Sequence, residues 1–280
     1  MKILHISDIH FGPYHWAAND ALVLDKLNAT NADIILNTGD LTSDSLEDEF
    51  QAAQKFLSKL TCPHLISIMG NHDKYSRRSH EMFRKYIYDG EFIQPKNTAK
   101  IHKNKVYICP KTARLENYFT EVNYIRSFEI DKQKILVICL DTNLFQCDQG
   151  KVDEQILAAL EVEIRAIKFD RALLMTHHSL LSTDDDPLIN SKRVTDFVLR
   201  AGIEATFCGH THELDMVEVS DLIRGNKFRQ FMCGSLSSVN IPREDNMFCT
   251  YDNFGTPEEI ITITRMHQLE RGIEFVETVV

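Results

Sequence analysis

Short apolar runs alternate with amphipathic stretches through the first 75 residues of the chain. Residues 2–7, 33–38 and 64–69 are apolar runs of the kind carried by strands buried on both faces. Residues 17–30 and 45–60 space their apolar side chains three and four apart, as in Leu46, Phe50, Ala53, Phe56, Leu57 and Leu60, and predict helices. Glu47, Asp48 and Glu49 fall in the first turn of the second helix, with Ser43 or Ser45 as its candidate cap. This alternation predicts right-handed crossovers and a largely parallel sheet.

Residues 77–88 predict another helix. The stretch 89–126 has no clear period, carries scattered lysines and two prolines, and reads as an insertion or lid. Ser127–Ile130 and Lys134–Asp141, joined by Asp131-Lys132-Gln133, predict a hairpin. A helix at 153–167, a strand at 171–176, a polar loop at Ser182–Asn190, a helix at 191–201 and a strand at 203–208 follow. From 213 onward helical spacing disappears, and 214–219, 228–233, 247–251, 259–265 and 273–280 alternate as antiparallel strands do. With no internal repeat or linker, the expected fold is α/β: two packed sheets flanked by helices, one domain over 1–280, with 213–280 as its β-rich C-terminal part.

The 280 residues suffice for a large core, and 43% hydrophobic with 26% charged residues fits a soluble globular chain. A formal charge of −10 argues against broad adhesion to nucleic acid or anionic membrane. It leaves room for a small anionic substrate if cations are held locally. The seven cysteines show no C-x-x-C spacing and lie mostly in apolar runs, which predicts reduced core thiols and a cytoplasmic setting. The segment Lys2 to Asp8 is too short and polar for the core of a signal peptide, and no run of 18 apolar residues offers a membrane span.

Candidate chemistry sits at the ends of the predicted strands. Asp8-Ile9-His10, Gly39-Asp40, Gly70-Asn71-His72-Asp73, Thr176-His177-His178 and Gly209-His210-Thr211-His212 each close an apolar run. In open α/β sheets such ends form the site. Asp8 and His10 are two apart, as are His210 and His212, and strand alternation would put each pair on one face. Aspartate, asparagine and imidazole together suit a pair of borderline divalent ions. Gly39, Gly70 and Gly209 each precede a candidate ligand, which close backbone approach near the metals would explain and generic turn glycines would equally produce.

The order D-x-H, G-D, G-N-H-D, lone histidine, G-H-x-H over residues 3 to 212 resembles the calcineurin-like metallophosphoesterase superfamily. The resemblance implies a four-layer αββα sandwich with two central mixed β-sheets. It also implies two divalent metal ions (manganese, iron or zinc), the first held by Asp8, His10 and His212, the second by Asn71, His177 and His210, with Asp40 bridging. A carboxylate spans ions about 4 Å apart, and a water between them becomes a hydroxide poised for in-line attack on phosphorus. His72 matches the family's nonligand histidine, which implies service to the leaving group as proton donor or charge stabiliser; the alternative is a structural turn histidine. Asp73 either orients His72 or caps the next turn. Arg77 is a candidate substrate contact or the start of a solvated helix face. His178 is a candidate support, substrate contact or packed core histidine.

Leu41-Thr42 after Gly39-Asp40, and the paired His177-His178, are similar to the class III cyclic-nucleotide phosphodiesterases, although Ser179 stands where those enzymes usually carry proline. The expected activity is a phosphodiesterase acting on a small phosphate ester such as a cyclic nucleotide. The alternatives are a DNA nuclease of the SbcD type, a phosphomonoesterase, or an inactive scaffold. The acidic run Asp184-Asp185-Asp186, if it borders the pocket, would repel a long polyanion and favour small substrates.

Overall fold

The computed structural model describes residues 1–16, 20–93, 122–181, 185–239 and 245–280. Most of the expected insertion, 94–121, lies outside them. Three parallel strands, β1 (Ile3–Ile6), β2 (Ile34–Asn37) and β3 (His64–Ser67), are linked through helices α1 (Asp20–Ala29) and α2 (Glu47–Leu57). Every side chain of β1 and β2 is buried, which requires a packed layer on each face of the sheet. On one face lie Val23, Leu24 and Leu27 of α1 with Phe50, Ala53, Phe56 and Leu57 of α2. Antiparallel β10 (Asn246–Asp252), β11 (Ile260–Gln268) and β12 (Ile273–Val279) complete the sheet in the order β12-β11-β10-β1-β2-β3.

The second sheet has the order β4-β5-β6-β7-β9-β8. The expected hairpin is formed by β4 (Tyr124–Ile130) and β5 (Gln133–Cys139). Its turn is shorter than the sequence implied. Asp131 and Lys132 take φ of 52° and 64°, the left-handed pair that a two-residue hairpin turn needs, so Gln133 already belongs to the strand. Residues 124–126, expected in the irregular stretch, are strand too. Tyr124 is buried, stacks on Tyr88 at 3.9 Å and donates its hydroxyl to the Ser67 carbonyl on β3.

β5, β6 (Arg171–Met175), β7 (Ala205–Cys208) and β9 (Lys227–Met232) run parallel, with β8 (Asp215–Ser220) antiparallel at the edge. The expectation of antiparallel strands throughout 213–280 therefore fails at β9, which pairs with both β7 and β8. Alternation of side chains is the same in either direction and carries no information about it. Leu136, Ile138 and Leu174 pack outward on Ile156 and Leu160 of α4 (Glu154–Ala166) and Val194 and Phe197 of α5 (Ser191–Ala201). Val137, Cys139, Leu173, Met175 and Phe207 face the first sheet and share its core. The layers run helix, sheet, sheet, helix: an α/β four-layer αββα sandwich of two mixed sheets, as expected. Among the described residues no helix is long and apolar enough to cross a membrane.

Candidate metal centre

The five motifs emerge at the carboxyl ends of β1, β2, β3, β6 and β7. Their backbone does not continue the strand pleat. Asp8, His10, Asp40, His210 and His212 have φ of 54°, 53°, 52°, 79° and 59°. Left-handed turns, not strand alternation, bring Asp8 with His10 and His210 with His212 to one side, which corrects the sequence-based geometry. Such backbone costs about 1–3 kcal/mol per residue and persists only where neighbours enforce it. Here the Asp8 and His10 amides donate to the Gly39 and Asp40 carbonyls, each at 2.9 Å, so the two loops continue the parallel ladder past the strands.

Two clusters share one carboxylate. In the first, Asp8 Oδ1 stands 3.4 Å from His212 Nε2 and 3.8 Å from His10 Nε2, and the two imidazole nitrogens are 2.9 Å apart. In the second, Asn71 Oδ1 lies 2.8 Å from His177 Nε2 and 3.0 Å from His210 Nδ1. Asp40 Oδ2 sits between them, 3.7 Å from His10 Nε2 and 3.5 Å from His177 Nε2. The structure thus brings together all seven residues for which metal ligation was expected.

The donor set fits divalent cations. Asp8 Oδ1 is buried and makes no hydrogen bond, a costly state for a carboxylate oxygen unless a cation faces it. Two of the imidazoles spend their other nitrogen on a carbonyl: His177 Nδ1 donates to Thr38 at 2.8 Å and His210 Nε2 to Asp186 at 3.1 Å. That pattern fixes tautomer and ring orientation in metal sites. Oxygen and imidazole donors together suit borderline divalent ions.

Charge is sharply partitioned. Burial pushes the Asp8 carboxyl up, but His212 and His177 outweigh it and hold it at about 2. Asp40 is likewise held well below the carboxylate range, since His177 and His72 overcome its burial. Burial draws His10 down to about 4, leaving a neutral ligand-ready ring. Burial also acts against His177, yet the Asp40 charge lifts it to about 9.

His72 borders both clusters. Its Nδ1 donates to the Ser43 carbonyl at 2.7 Å, and its ring lies 4.9 Å from those of His10 and Tyr75 and 5.8 Å from that of Tyr14. Burial lowers its pKa, but Asp40 and the Ser43 carbonyl raise it further than burial lowers it. Asp73 does not reach His72. Its carboxylate accepts from the amides of Gly70, Leu41 and Thr42 and from the Thr42 hydroxyl, at 2.8–3.1 Å. It clamps the Asp40 and Asn71 loops together, a positioning role in place of the two expected alternatives, orienting His72 or capping the next turn. Burial, then the nearby Asp40 charge, pushes Asp73 up to about 7.

His178 stands behind the ligands. It is buried, with Nδ1 against the Thr142 hydroxyl and Nε2 against the Asp148 carbonyl, both at 2.8 Å, and its ring is 4.4 Å from that of His210. With both nitrogens engaged it has no polar atom left for substrate, and the expected substrate contact gives way to support of the cage. Arg77 is exposed on the loop before α3 (Ser79–Tyr86). Close backbone approach is real at Gly70 and Gly209: a Cβ would overlap Asp40 Oδ1 at the first and Asp8 Oδ2 at the second.

Ser43 and Ser45 do not cap α2. Their hydroxyls donate to the carbonyls of His10 (2.7 Å) and His72 (2.5 Å), while Glu49 accepts the Leu46 amide at the helix start. Sequence reasoning gave Lys74, Tyr75, Asp141 and Asp148 no role. Lys74 forms a buried ion pair with Asp141, and Asp148 accepts from Asn71 Nδ2 at 2.8 Å. These partners lie about 70 residues or more apart in the chain, and no local pattern marks them.

Comparison with known proteins agrees with the geometry. The profile of the calcineurin-like phosphoesterase family matches residues 1–214. The glycerophosphodiester phosphodiesterase GpdQ of Enterobacter lignolyticus is 25% identical over 234 residues, 78% of this chain and 73% of the relative. A Coxiella burnetii protein named as a probable cyclic nucleotide phosphodiesterase is 28% identical over 105 residues, 35% of this chain and 42% of its own. Purple acid phosphatase PPD1 of yellow lupin superposes with a TM-score of 0.55 at 10% identity, covering all of this chain and 53% of the lupin chain, a likeness of fold. With motif order, convergent side chains and family profile in agreement, the chain belongs to the calcineurin-like phosphoesterase family and is a metal-dependent phosphoester hydrolase.

Proposed function

We propose that the chain is a dinuclear phosphodiesterase acting on a small phosphodiester, with a cyclic nucleotide as the favoured substrate class. The observation that carries this reading is the place of Asp40 Oδ2 between His10 Nε2 and His177 Nε2, which suits a carboxylate shared by two cations. Asp8, His10 and His212 would complete one ligand set, and Asn71, His177 and His210 the other. When bound, two such ions supply an acidified water as nucleophile and positive charge for the phosphoryl oxygens.

The protein's own groups do the rest. Asp40 accepts the His72 backbone amide at 2.9 Å through Oδ1, so the backbone that carries the ring serving the leaving group is tied to the shared carboxylate. Because Nδ1 of His72 donates to Ser43, Nε2 is the nitrogen that gives a proton to the departing oxygen. The Asp40 charge and the Ser43 carbonyl raise its pKa, which favours the protonated ring. The Asp186 carbonyl contacts His210, which sets part of the acidic 184–186 run against the site and favours small substrates over a long polyanion. The two phosphodiesterase relatives support the reaction class. Free thiols at all six described cysteines suit the cytoplasm.

The test is a competition among a cyclic nucleotide, bis-p-nitrophenyl phosphate, p-nitrophenyl phosphate and single-stranded DNA, with manganese-loaded protein. The two small diesters are expected to be turned over fastest. Preference for DNA would replace this reading with a nuclease, and preference for the monoester with a phosphatase.

A further inference from the structure

Asn71 is held from behind as well as in front. Its Nδ2 donates to Asp148 Oδ1 at 2.8 Å and lies 3.5 Å from the Tyr75 hydroxyl, while Oδ1 faces His177 and His210. The two ends of a primary amide have nearly the same shape and opposite hydrogen-bonding character. Which end meets a cation is therefore decided by what lies at the other end. An ionised carboxylate only accepts, so Asp148 can be satisfied by the NH2 end alone. The Tyr75 hydroxyl donates to the same Asp148 Oδ1, which leaves its oxygen as an acceptor toward Asn71.

The segment carrying Asp148 is fixed in turn. His178 Nε2 donates to the Asp148 carbonyl at 2.8 Å, Gln146 Nε2 to the Tyr75 carbonyl at 3.0 Å, and the Gln146 amide to the Lys74 carbonyl at 3.2 Å. The two Gln146 bonds join this segment to the turn at 72–75 beside Asn71, and the His178 bond ties it to the loop after β6.

We propose that Asp148, keyed by Tyr75, is the positioning residue that selects the amide orientation of Asn71 and so presents oxygen rather than NH2 to the second cation. The inference rests on the two-ion reading above. If Asp148 becomes Asn, the new amide can donate as well as accept, and Asn71 is free to turn its NH2 toward His177 and His210, where it repels a cation. Residues that orient metal ligands in this way typically govern affinity by about 10- to 100-fold.

The experiment is a calorimetric titration of metal-free full-length protein with manganese, with stoichiometry checked by electron paramagnetic resonance, for wild type, Asp148→Asn, Tyr75→Phe, Asn71→Asp and the Asn71→Asp/Asp148→Asn pair. Wild type should take up two ions. Asp148→Asn should keep one and bind the second about tenfold or more weakly, with Tyr75→Phe shifted the same way by less, and its turnover should recover as manganese is raised. In the Asn71→Asp background both ends of the side chain are oxygen, so adding Asp148→Asn should cost nothing. Uptake of a single ion by wild type would sink the two-ion reading, and this inference with it. Two ions in wild type, with the second affinity unchanged in Asp148→Asn and Tyr75→Phe, would overturn the orienting role alone.

Discussion

Thr42 gives both its backbone amide and its hydroxyl to Oδ1 of Asp73, at 2.9 and 2.8 Å. The other oxygen of Asp73 accepts from Leu41 and Gly70, so one buried carboxylate closes three backbone donors on two ligand-bearing loops. Asp73→Ala strands those donors, at about 1–3 kcal/mol for each buried group left unsatisfied. The variant is expected to lose about 3 kcal/mol or more in urea unfolding. An unchanged unfolding midpoint would show that Asp73 clamps nothing.

Asp40 and His72 should separate cleanly in kinetics. Asp40→Asn is expected to abolish turnover and weaken uptake of both ions. His72→Ala should slow chemistry by about 10²- to 10⁴-fold, the usual worth of a positioned proton donor, with both ions still bound. Metal analysis beside single-turnover rates checks both outcomes, and full activity in either variant contradicts the assigned roles.

Cations should stabilise the fold. Removing them with a chelator exposes Asp8 and Asp40 to each other and leaves Asp8 Oδ1 buried with no hydrogen bond. Manganese at 100 times its dissociation constant contributes about 2.7 kcal/mol by mass action. For a chain of this size the chelated protein should melt about 5 °C or more lower, with recovery on adding manganese. A melting temperature indifferent to chelator would remove the support that the buried carboxylates give to a metal site.

The buried Lys74–Asp141 pair sets an acid dependence. Burial pushes Asp141 up, but Lys74 and the Val122 and Asn143 amides outweigh it and hold the carboxyl below its ordinary value. A carboxyl depressed in the folded state contributes stability that is complete above its unfolded value, about pH 3.9, and is lost as pH falls through the folded value. Asp141→Asn should therefore cost about 3–5 kcal/mol at neutral pH, as breaking a buried pair does. Urea titrations from pH 7 downward should show the gap to wild type closing only below about pH 4. A gap constant with pH would count against this account.

Gly209 tolerates no side chain. A Cβ there overlaps Ser7 Oγ and Asp8 Oδ2, the oxygen that accepts the His210 amide at 3.2 Å. Gly209→Ala should loosen the first ion by about tenfold or more, as disturbing an oriented ligand does. Manganese titration reads this directly, and wild-type affinity would show that Asp8 can shift at no cost.

The ligands were legible in the sequence because each is short-range: Asp8, Asp40, Asn71, His177 and His210 stand a few residues past an apolar run that predicts a strand. The layers were legible for the same reason, since both-face burial in β1 and β2 shows directly in their composition. Strand direction at β9 was not, because alternation is blind to it. Nor was the left-handed backbone at Asp8, His10 and Asp40, which arises from the pairing of two loops and not from either alone. Ser43 and Ser45 looked like helix caps because a serine before acidic residues usually is one. Only the fold shows that the His10 and His72 carbonyls claim their hydroxyls first.

β1 is an inner strand only because Tyr251, Thr250 and Cys249 of β10 pair with Ile3, Leu4 and His5, and the Leu236 amide and Ser235 hydroxyl tie down the Ser7 and Asp8 carbonyls at 2.7 and 2.8 Å. During synthesis the Asp8 motif must therefore wait until Tyr251 has been made before its flank is closed. A nascent chain halted near residue 214 would carry every metal-binding group of the cage and still present an open sheet edge beside Asp8.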